Sequence, residues 1–240
     1  MINKNTLQSV ISKYYLNGTF NTVKWRIKDN TLTVYAGTGG KAVKVHLKNF
    51  QFEDCELGIF DTQKLAKLLA VTNGELMVAA EKTNKVYTRL NIADNNFDLN
   101  YSLADIFVIP AADYFQNIEE PDASFELDKE SIDALIKAKT ALADQNTLLI
   151  KTTNNLDGDL VCEMIFGDLE DSSNKVTYTL NGNINVSDIE FPLNSDTLKD
   201  VFGANKDADR GTLKILANGM VQLNFYSDEI ESEYFILRNE

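Results

Sequence analysis

The side chains that most often carry out catalysis are scarce in this sequence. Its one histidine, His46, lies in an alternating run of apolar and polar residues, which is typical of a structural or surface position on a strand. No serine lies in the G-x-S-x-G pattern of a nucleophile elbow. The two cysteines, Cys55 and Cys162, are far apart and have no metal-like spacing, which indicates two reduced thiols. We therefore predict that the protein is not an enzyme.

A glycine-rich segment and two acidic clusters are the other candidates for ligand binding. Residues 37–42 (GTGGKA) resemble a phosphate-binding loop only faintly, because Ala42 stands where the motif needs Ser or Thr and a strand follows instead of a helix. A hairpin turn is the better interpretation. The acidic clusters at 168–171 and 228–233 lack the spacing of a calcium loop and predict solvated surface. The sequence thus indicates no metal and no other cofactor.

Charge is distributed unevenly between the predicted helices and the rest of the chain. The net charge of the 240 residues is −13, which taken alone argues against nucleic-acid binding. The helical windows 5–16, 61–72, 128–142 and 194–206 together carry +2, so the remainder carries −15. Within them acidic residues come early and lysines mostly late, an order that the helix macrodipole also favours. Two explanations of these lysines therefore stay open, a phosphate-facing surface and the helix dipole.

The elements that position these lysines occur twice in the chain. Apolar residues at helical spacing predict helices at 5–16, 61–72, 128–142 and 194–205, each followed by β-like runs. The second and fourth helices align at an offset of 133, which brings the capping position Asp61 onto Asn194. The first and third helices align at an offset of 125. The order helix, strands, helix, strands thus predicts an α+β unit present in two copies.

The segment between the two copies contains two of the three prolines, Pro110 and Pro121. Proline fixes φ and lacks a backbone donor, so such a segment is a poor helix or central strand. We therefore predict an N-terminal domain at 1–108, an interdomain connector at 109–124 and a C-terminal domain at 125–240. The chain has no apolar run of the length a membrane span needs and no signal-peptide pattern, so we expect a cytoplasmic protein that binds no membrane.

Four segments together resemble the sliding clamps of DNA replication. They are Ile59-Phe60-Asp61 before a leucine-rich helix, Phe107-x-x-Pro110-Ala111-Ala112-Asp113, Lys175-Val176-Thr177-Tyr178-Thr179-Leu180, and Glu233-Tyr234-Phe235-Ile236-Leu237. The resemblance is closest to the clamps of T-even bacteriophages, which are related in fold to proliferating cell nuclear antigen. It spans nearly the whole chain in order and length.

This resemblance implies a DNA-clamp fold, with two similar domains that each pack two helices on antiparallel sheet. It also implies a homotrimeric ring that encircles duplex DNA without reading its sequence and tethers the replicative polymerase for processivity. The helices would line the hole of this ring. The DNA-facing candidates are Lys13, Lys64, Lys67, Lys137, Lys139, Lys199 and Lys206. Lys139 fits less well, because it lies seven residues after Ile132 and therefore near the apolar face.

The resemblance further implies that the polymerase and the clamp loader dock on the connector. In this family short peptides insert apolar side chains into a pocket between the connector and the C-terminal strands. The matching positions are Phe107, Ile109, Pro110, Tyr114, Phe115, Tyr234, Phe235 and Ile236. An ordinary inter-domain core would show the same cluster.

One alternative function comes from a different class of protein. A β-rich structural or assembly protein of a virion, with no role on DNA, would share the acidic composition and the duplicated domain. A viral clamp would act in the cytoplasm of the infected host cell. The lysine faces distinguish the two hypotheses, because a clamp requires them to be exposed to solvent.

Overall fold

A computed structural model of the chain describes residues 1–110, 116–167 and 174–238. The chain forms two compact units. Unit 1 consists of Met1–Tyr114 and Asp228–Ser232, and unit 2 of Phe115–Ser227 and Glu233–Glu240. The predicted domains differ from these units at 228–232, which groups with unit 1 because Lys48 N donates a hydrogen bond to the Glu229 carbonyl (2.9 Å).

All four predicted helices are present. Each begins and ends within two residues of its predicted bounds, because capping residues and apolar spacing are local signals. The helices are α1 (Lys4–Tyr15), α2 (Thr62–Ala70), α3 (Lys129–Ala141) and α4 (Ser195–Ala204). None of the helices in the described ranges is long and apolar enough to cross a membrane.

Strands account for most of the remaining described chain. In unit 1 they are β1 (Ile2–Asn3), β2 (Val23–Lys28), β3 (Thr31–Thr38), β4 (Lys41–Leu47), β5 (Cys55–Ile59), β6 (Glu75–Thr83), β7 (Val86–Ala93) and β8 (Asp98–Ser102). The later strands are β9 (Ala123–Leu127), β10 (Thr147–Asn154), β11 (Leu160–Gly167), β12 (Lys175–Leu180), β13 (Asn183–Ile184), β14 (Glu190–Asn194), β15 (Arg210–Leu216), β16 (Met220–Tyr226) and β17 (Ile230–Leu237). The last of these, β17, begins in unit 1 and ends in unit 2.

Unit 1 contains two antiparallel sets of four strands. One set has the order β4-β3-β2-β5 and the other has the order β1-β6-β7-β8. Helix α1 packs against α2 and lies next to β1 and β4. Its apolar stripe, which includes Leu7, Val10 and Ile11, is buried, as is the stripe of α2 at Leu65 and Leu69.

Unit 2 repeats this arrangement strand for strand. The order β12-β11-β10-β14 corresponds to β4-β3-β2-β5, and β9-β15-β16-β17 corresponds to β1-β6-β7-β8. Helix α3 packs against α4 and lies next to β9 and β12, which correspond to β1 and β4. The predicted duplication is therefore confirmed at the level of topology. Strand β13 is an addition that pairs with β9.

The four helices begin at side-chain caps. In each case a carboxylate or amide oxygen accepts a backbone N–H of the first turn at 2.8 to 3.0 Å. The caps are Asn3, Asp61, Asp128 and Asn194. They stand at the same two offsets, 125 and 133, that align the helices in the sequence, so the duplication includes the hydrogen bonds that start each helix.

The third proline, Pro192, lies inside a strand that the sequence did not predict. It belongs to β14, which is at the end of its set and pairs with β10 alone. A proline is tolerated on an edge strand, because the donor that it lacks is not needed on the open side.

Candidate nucleic-acid and peptide interfaces

The lysines predicted to face DNA fall into two groups by exposure. Lys64 and Lys67 on α2, Lys137 on α3 and Lys206 just after α4 are exposed, and Lys199 on α4 is half-buried. On α2 the lysines lie away from the buried side chains of Leu65 and Leu69. The ammonium groups of the exposed lysines can therefore interact with phosphates without losing packing in the core.

Lys13 and Lys139 are buried, with 2% and 1% of their surface exposed. The ammonium of Lys139 donates hydrogen bonds to the carbonyls of Leu142 (3.3 Å) and Ala143 (3.1 Å) and to that of Gln145, and it pairs with Asp196 Oδ1 at 3.0 Å. This placement goes against the prediction that these two lysines face DNA. For Lys139 the physical reason is that carbonyls of the following loop already satisfy its ammonium inside unit 2.

The two units differ in the charge of their helices. Helices α1 and α2 contain lysines and no acidic residue. Helices α3 and α4 contain both signs, with Glu130 and Asp196 in their first turns. The helix surface of unit 1 is therefore the more attractive of the two for a polyanion.

The segment that leads into the connector is held on unit 1 by two backbone hydrogen bonds. Leu103 N donates to the Thr88 carbonyl and Ala104 N donates to the Gly58 carbonyl, both at 2.9 Å. A Cβ on Gly58 would lie 2.4 Å from the Ala104 carbonyl oxygen, so only glycine permits this close approach. Ile109 packs against the same glycine and is buried.

Phe107 projects into solvent from a short helical turn, Ile106–Val108. Its side chain is 90% exposed, and Val108 and Pro110 are exposed as well. A pocket of about 380 Å³ opens beside it in unit 1. The pocket is lined by Glu56, Gly58, Lys85, Val86, Tyr87, Ala104, Asp105, Ile106 and Phe107. Sequence reasoning missed this pocket, because it joins three segments that are distant along the chain.

The connector ends on unit 2 at a polar cluster that the sequence analysis also missed. Gln222 on β16 is completely buried. Its Oε1 accepts the backbone N–H of Ile118 at 2.9 Å, and its Nε2 donates to Asn117 Oδ1 (2.6 Å) and Glu233 Oε1 (2.5 Å). Lys214 on β15 donates to the carbonyl of Ile118 at 2.7 Å.

The C-terminal strand presents its predicted pocket residues to two different faces. Tyr234 is buried against Phe225, with ring centroids 6.0 Å apart, and its hydroxyl accepts a hydrogen bond from Asn205 (2.8 Å). It therefore belongs to the core beside α4. Because side chains alternate along a strand, Ile236 shares the face of Tyr234, whereas Phe235 shares the face of Glu233.

The positions predicted for the peptide pocket differ in exposure. Phe107 is available to a partner, whereas Ile109, Tyr234 and Ile236 are buried side chains. Phe235 is buried as well, on the face that carries Glu233. Of the remaining three candidates, Pro110 is exposed, and Tyr114 and Phe115 lie outside the described residues.

The histidine and the buried cysteine that were considered for catalysis lie in environments that suit a structural role. His46 Nδ1 lies 2.9 Å from Thr33 Oγ1 on the neighbouring strand, and partial burial lowers the pKa of this histidine. Burial raises the pKa of the Cys162 thiol to about 12, which opposes formation of a reactive thiolate. In the described ranges no group of three His, Cys, Asp or Glu side chains is arranged to hold a metal ion.

Comparison with known proteins identifies the fold. No protein-family model matches the chain, and no curated protein matches it in sequence. A solved structure described as the C-terminal region of FEN-1 bound to A. fulgidus PCNA matches with a TM-score of 0.74 and 15% identity, over 100% of this chain and 97% of that chain. Proliferating Cellular Nuclear Antigen from Entamoeba histolytica matches with a TM-score of 0.74 and 13% identity, over 99% and 96%.

The chain therefore has the fold of the sliding clamps, as the resemblance in sequence implied. Both matches cover the two units together, so the similarity concerns the duplicated architecture and not a single domain.

Proposed function

We propose that the protein is a sliding clamp, a ring of three chains that encircles duplex DNA and tethers the replicative polymerase. The observation that carries this proposal is the duplicated unit. It repeats strand for strand in one chain, and the whole chain matches solved clamp chains from end to end. From the four segments that resemble phage clamps, we propose further that it serves a T-even-like bacteriophage inside the infected host cell.

The charge distribution supports a sliding function rather than tight binding. A protein that slides must contact phosphates and not base edges, because phosphate contacts carry no direct sequence information. Lysines suit such contacts, since they are flexible point charges without the paired geometry of arginine. Both lysines of α2, Lys64 and Lys67, are exposed, while the chain as a whole carries −13. An acidic remainder would repel DNA from other surfaces and favour the helices.

Open strand edges supply a way to close the ring. In unit 1, β8 is at the end of its set of strands, and in unit 2 β12 is at the end of another. An edge strand has unpaired backbone groups that can pair with another chain. Joining β8 of one copy to β12 of the next gives a head-to-tail contact, which forms a closed ring when the rotation between copies is suitable.

The polymerase and the clamp loader would bind through the connector. Phe107 supports this part of the proposal, because a phenyl ring that is 90% exposed suits an apolar contact with a partner. Phe107→Asp should abolish stimulation of the polymerase without changing the trimer.

Ile109→Asp is the comparison for Phe107→Asp, because it introduces the same carboxylate two residues further along the chain. This substitution places a carboxylate in a buried position, so we expect loss of folding stability by about 3 kcal/mol or more. A dissociated or unfolded Phe107→Asp protein would show that Phe107 is structural.

The first test of the ring is the mass in solution. We expect a particle of about three times 26.9 kDa by light scattering. After loading, the protein should stay on circular DNA and leave linear DNA from its ends at moderate salt. A monomer, or equal loss from both DNAs, would contradict the proposal and favour a structural protein without a DNA role.

The second test is a cross-link between the two edges. In a Cys55→Ser background, Asn100→Cys on β8 combined with Thr177→Cys on β12 should give covalently linked trimers with a short bismaleimide. Both positions are exposed. Each single variant should give no covalently linked oligomers above background. If the double variant gives no covalently linked dimers or trimers, β8 and β12 are not the edges that meet between copies. The light-scattering mass then remains the test of the trimer.

A further inference from the structure

The end of the connector is held on unit 2 by a buried amide side chain. Gln222 lies in the middle of β16 with none of its surface exposed. Its Oε1 accepts the Ile118 N–H, and Lys214 on the neighbouring strand β15 donates to the Ile118 carbonyl. Both backbone groups of one connector residue are therefore bound by side chains from the sheet. Ile118 itself is buried, with 5% of its surface exposed.

The surroundings of Gln222 require an amide at this position. The side chain must accept from a backbone N–H on one side and donate to the Glu233 carboxylate on the other (2.5 Å). Glutamate in its place would put a second carboxylate against Glu233, and leucine or methionine would leave the buried Ile118 N–H without its acceptor. An unsatisfied buried donor costs far more than an ordinary hydrogen bond contributes.

The cluster lies on the connector side of the sheet. Glu233 and Phe235 stand two residues apart on β17 and therefore share a face, and Gln222 contacts Glu233 on that face. Tyr234 points to the opposite face, into the core. The side chains that hold Ile118 thus lie on the same face as Phe235, the one predicted pocket residue of β17 that points toward the connector.

We propose that Gln222, assisted by Lys214, is a positioning residue for partner binding, because it fixes the register of the connector on unit 2. This inference rests on the proposed function. Without the Gln222 side chain, connector residues 116–118 would become ordered only when a partner binds. The entropy lost in that ordering would lower the affinity for the partner. Gln222 itself makes no contact with the partner in this scheme.

The first measurement is independent of any partner. In the full-length protein we expect Gln222→Leu to accelerate amide hydrogen exchange of Ile118 by roughly tenfold to a hundredfold, since the amide loses a buried acceptor. Lys214→Met should act in the same direction with a smaller effect, because it removes the bond to the carbonyl instead. Because Lys214 is half-buried, we expect Lys214→Met to fold, so this variant keeps the proposal testable even where Gln222→Leu fails to fold.

Thr212→Val is the matched control. Thr212 lies on β15 two residues before Lys214, and its Oγ1 accepts a hydrogen bond from Asn224 at 3.3 Å. The substitution therefore removes a polar contact from the same face and keeps both hydrogen bonds to Ile118, while Asn224 keeps its own bond from Gln222 Nε2 (3.4 Å). It should leave the exchange of Ile118 and the affinity for a partner unchanged.

The second measurement uses the purified replicative polymerase of the same genome as the probe. We expect Gln222→Leu to raise its Kd by about tenfold relative to wild type and to Thr212→Val, while light scattering shows an unchanged assembly. Faster exchange with unchanged affinity would overturn the positioning role. If amide exchange of Ile118 is unchanged in Gln222→Leu, the Gln222 side chain does not restrain the connector. Wild-type protein that binds no polymerase would refute the proposed function and the positioning role together, whereas its slow Ile118 exchange would still be observed.

Discussion

Unit 1 and unit 2 share a strand order and a set of helix caps, but they differ at one buried position of the helix that opens each unit. The offset of 125 that aligns α1 with α3 brings Tyr14 onto Lys139. In unit 1 the phenol of Tyr14 is buried and accepts a hydrogen bond from Trp25 Nε1 at 3.3 Å. In unit 2 the ammonium of Lys139 is buried and donates to loop carbonyls while it pairs with Asp196.

The difference shows that one topology accepts two kinds of buried polar group at the same place. A neutral phenol can be buried with a single hydrogen bond, and burial raises the pKa of Tyr14 so that it stays neutral. An ammonium needs a complete set of acceptors, because an unpaired buried charge is very unfavourable. Unit 2 supplies these acceptors to Lys139 from the loop that follows α3, whereas the phenol of Tyr14 at the corresponding position of unit 1 does not need them.

The largest expected effect comes from removing the charged group. Lys139→Met should lower the free energy of unfolding by about 3 kcal/mol, because several carbonyls lose a charged donor at once. Tyr14→Phe should cost less, about 2 kcal/mol, because it leaves only one neutral buried donor, Trp25 Nε1, without its acceptor. Urea unfolding, with hydrogen exchange of the α1 and α3 peptides to separate the units, measures both. Equal costs would show that the two buried groups are equivalent after all.

The second effect tests the helix charges. Lys64→Glu with Lys67→Glu in unit 1 should weaken DNA retention more than Lys137→Glu with Lys199→Glu in unit 2, because only the helices of unit 1 lack acidic residues. We expect a loss of about tenfold for the first pair, with the slope of log affinity against log salt reduced by about 0.9 for each phosphate contact removed. The half-life on circular DNA at several salt concentrations measures this. A larger loss for the unit 2 pair would reverse the comparison.

The third effect should be the same in both units. Asp61→Ala and Asn194→Ala remove equivalent caps, whose oxygens accept from Lys64 N (3.0 Å) and Thr197 N (2.9 Å). Each substitution should cost about 1 kcal/mol. Urea midpoints at neutral pH measure the two costs. A clear inequality would mean that the second helices of the two units depend on their caps to different degrees.

The smallest effect is a pH dependence carried by one carboxylate in each unit. Hydrogen bonds from the backbone, first of all from Asn96 N, lower the pKa of Asp94 in unit 1. The Ser131 hydroxyl and backbone lower the pKa of Asp128 in unit 2. Because the folded pKa is below the unfolded value of about 3.9, this stability is present above that value and is lost as the pH falls through the folded pKa.

Asparagine at either position keeps one acceptor oxygen and does not titrate. Asp94→Asn and Asp128→Asn should therefore each flatten the curve of urea midpoint against pH between about pH 5 and pH 2. Curves that run parallel to wild type over this range would show that the two carboxylates contribute nothing to acid sensitivity.

Local signals in the sequence determined a large part of this protein. The caps and apolar spacing of the four helices depend on neighbours a few residues away, so their bounds were predicted closely. The duplication was visible for the same reason, because Asp61 and Asn194 start equivalent helices at a constant offset. The short strands β1, β9, β13 and β14 were not predicted, because they form by pairing with segments that no local pattern reveals.

Only the tertiary structure decided which side chains face solvent. Lys13 shows no sign of burial in the sequence but is buried, and Lys139, which lies near the apolar face of its helix, is buried as well. Two residues apart, Phe107 is exposed and Ile109 is buried. Gln222 gave no signal at all, since its importance comes from Ile118, a residue more than a hundred positions away. Exposure and long-range hydrogen bonds depend on which segments meet when the chain folds, and periodicity along one element carries no information about its partners.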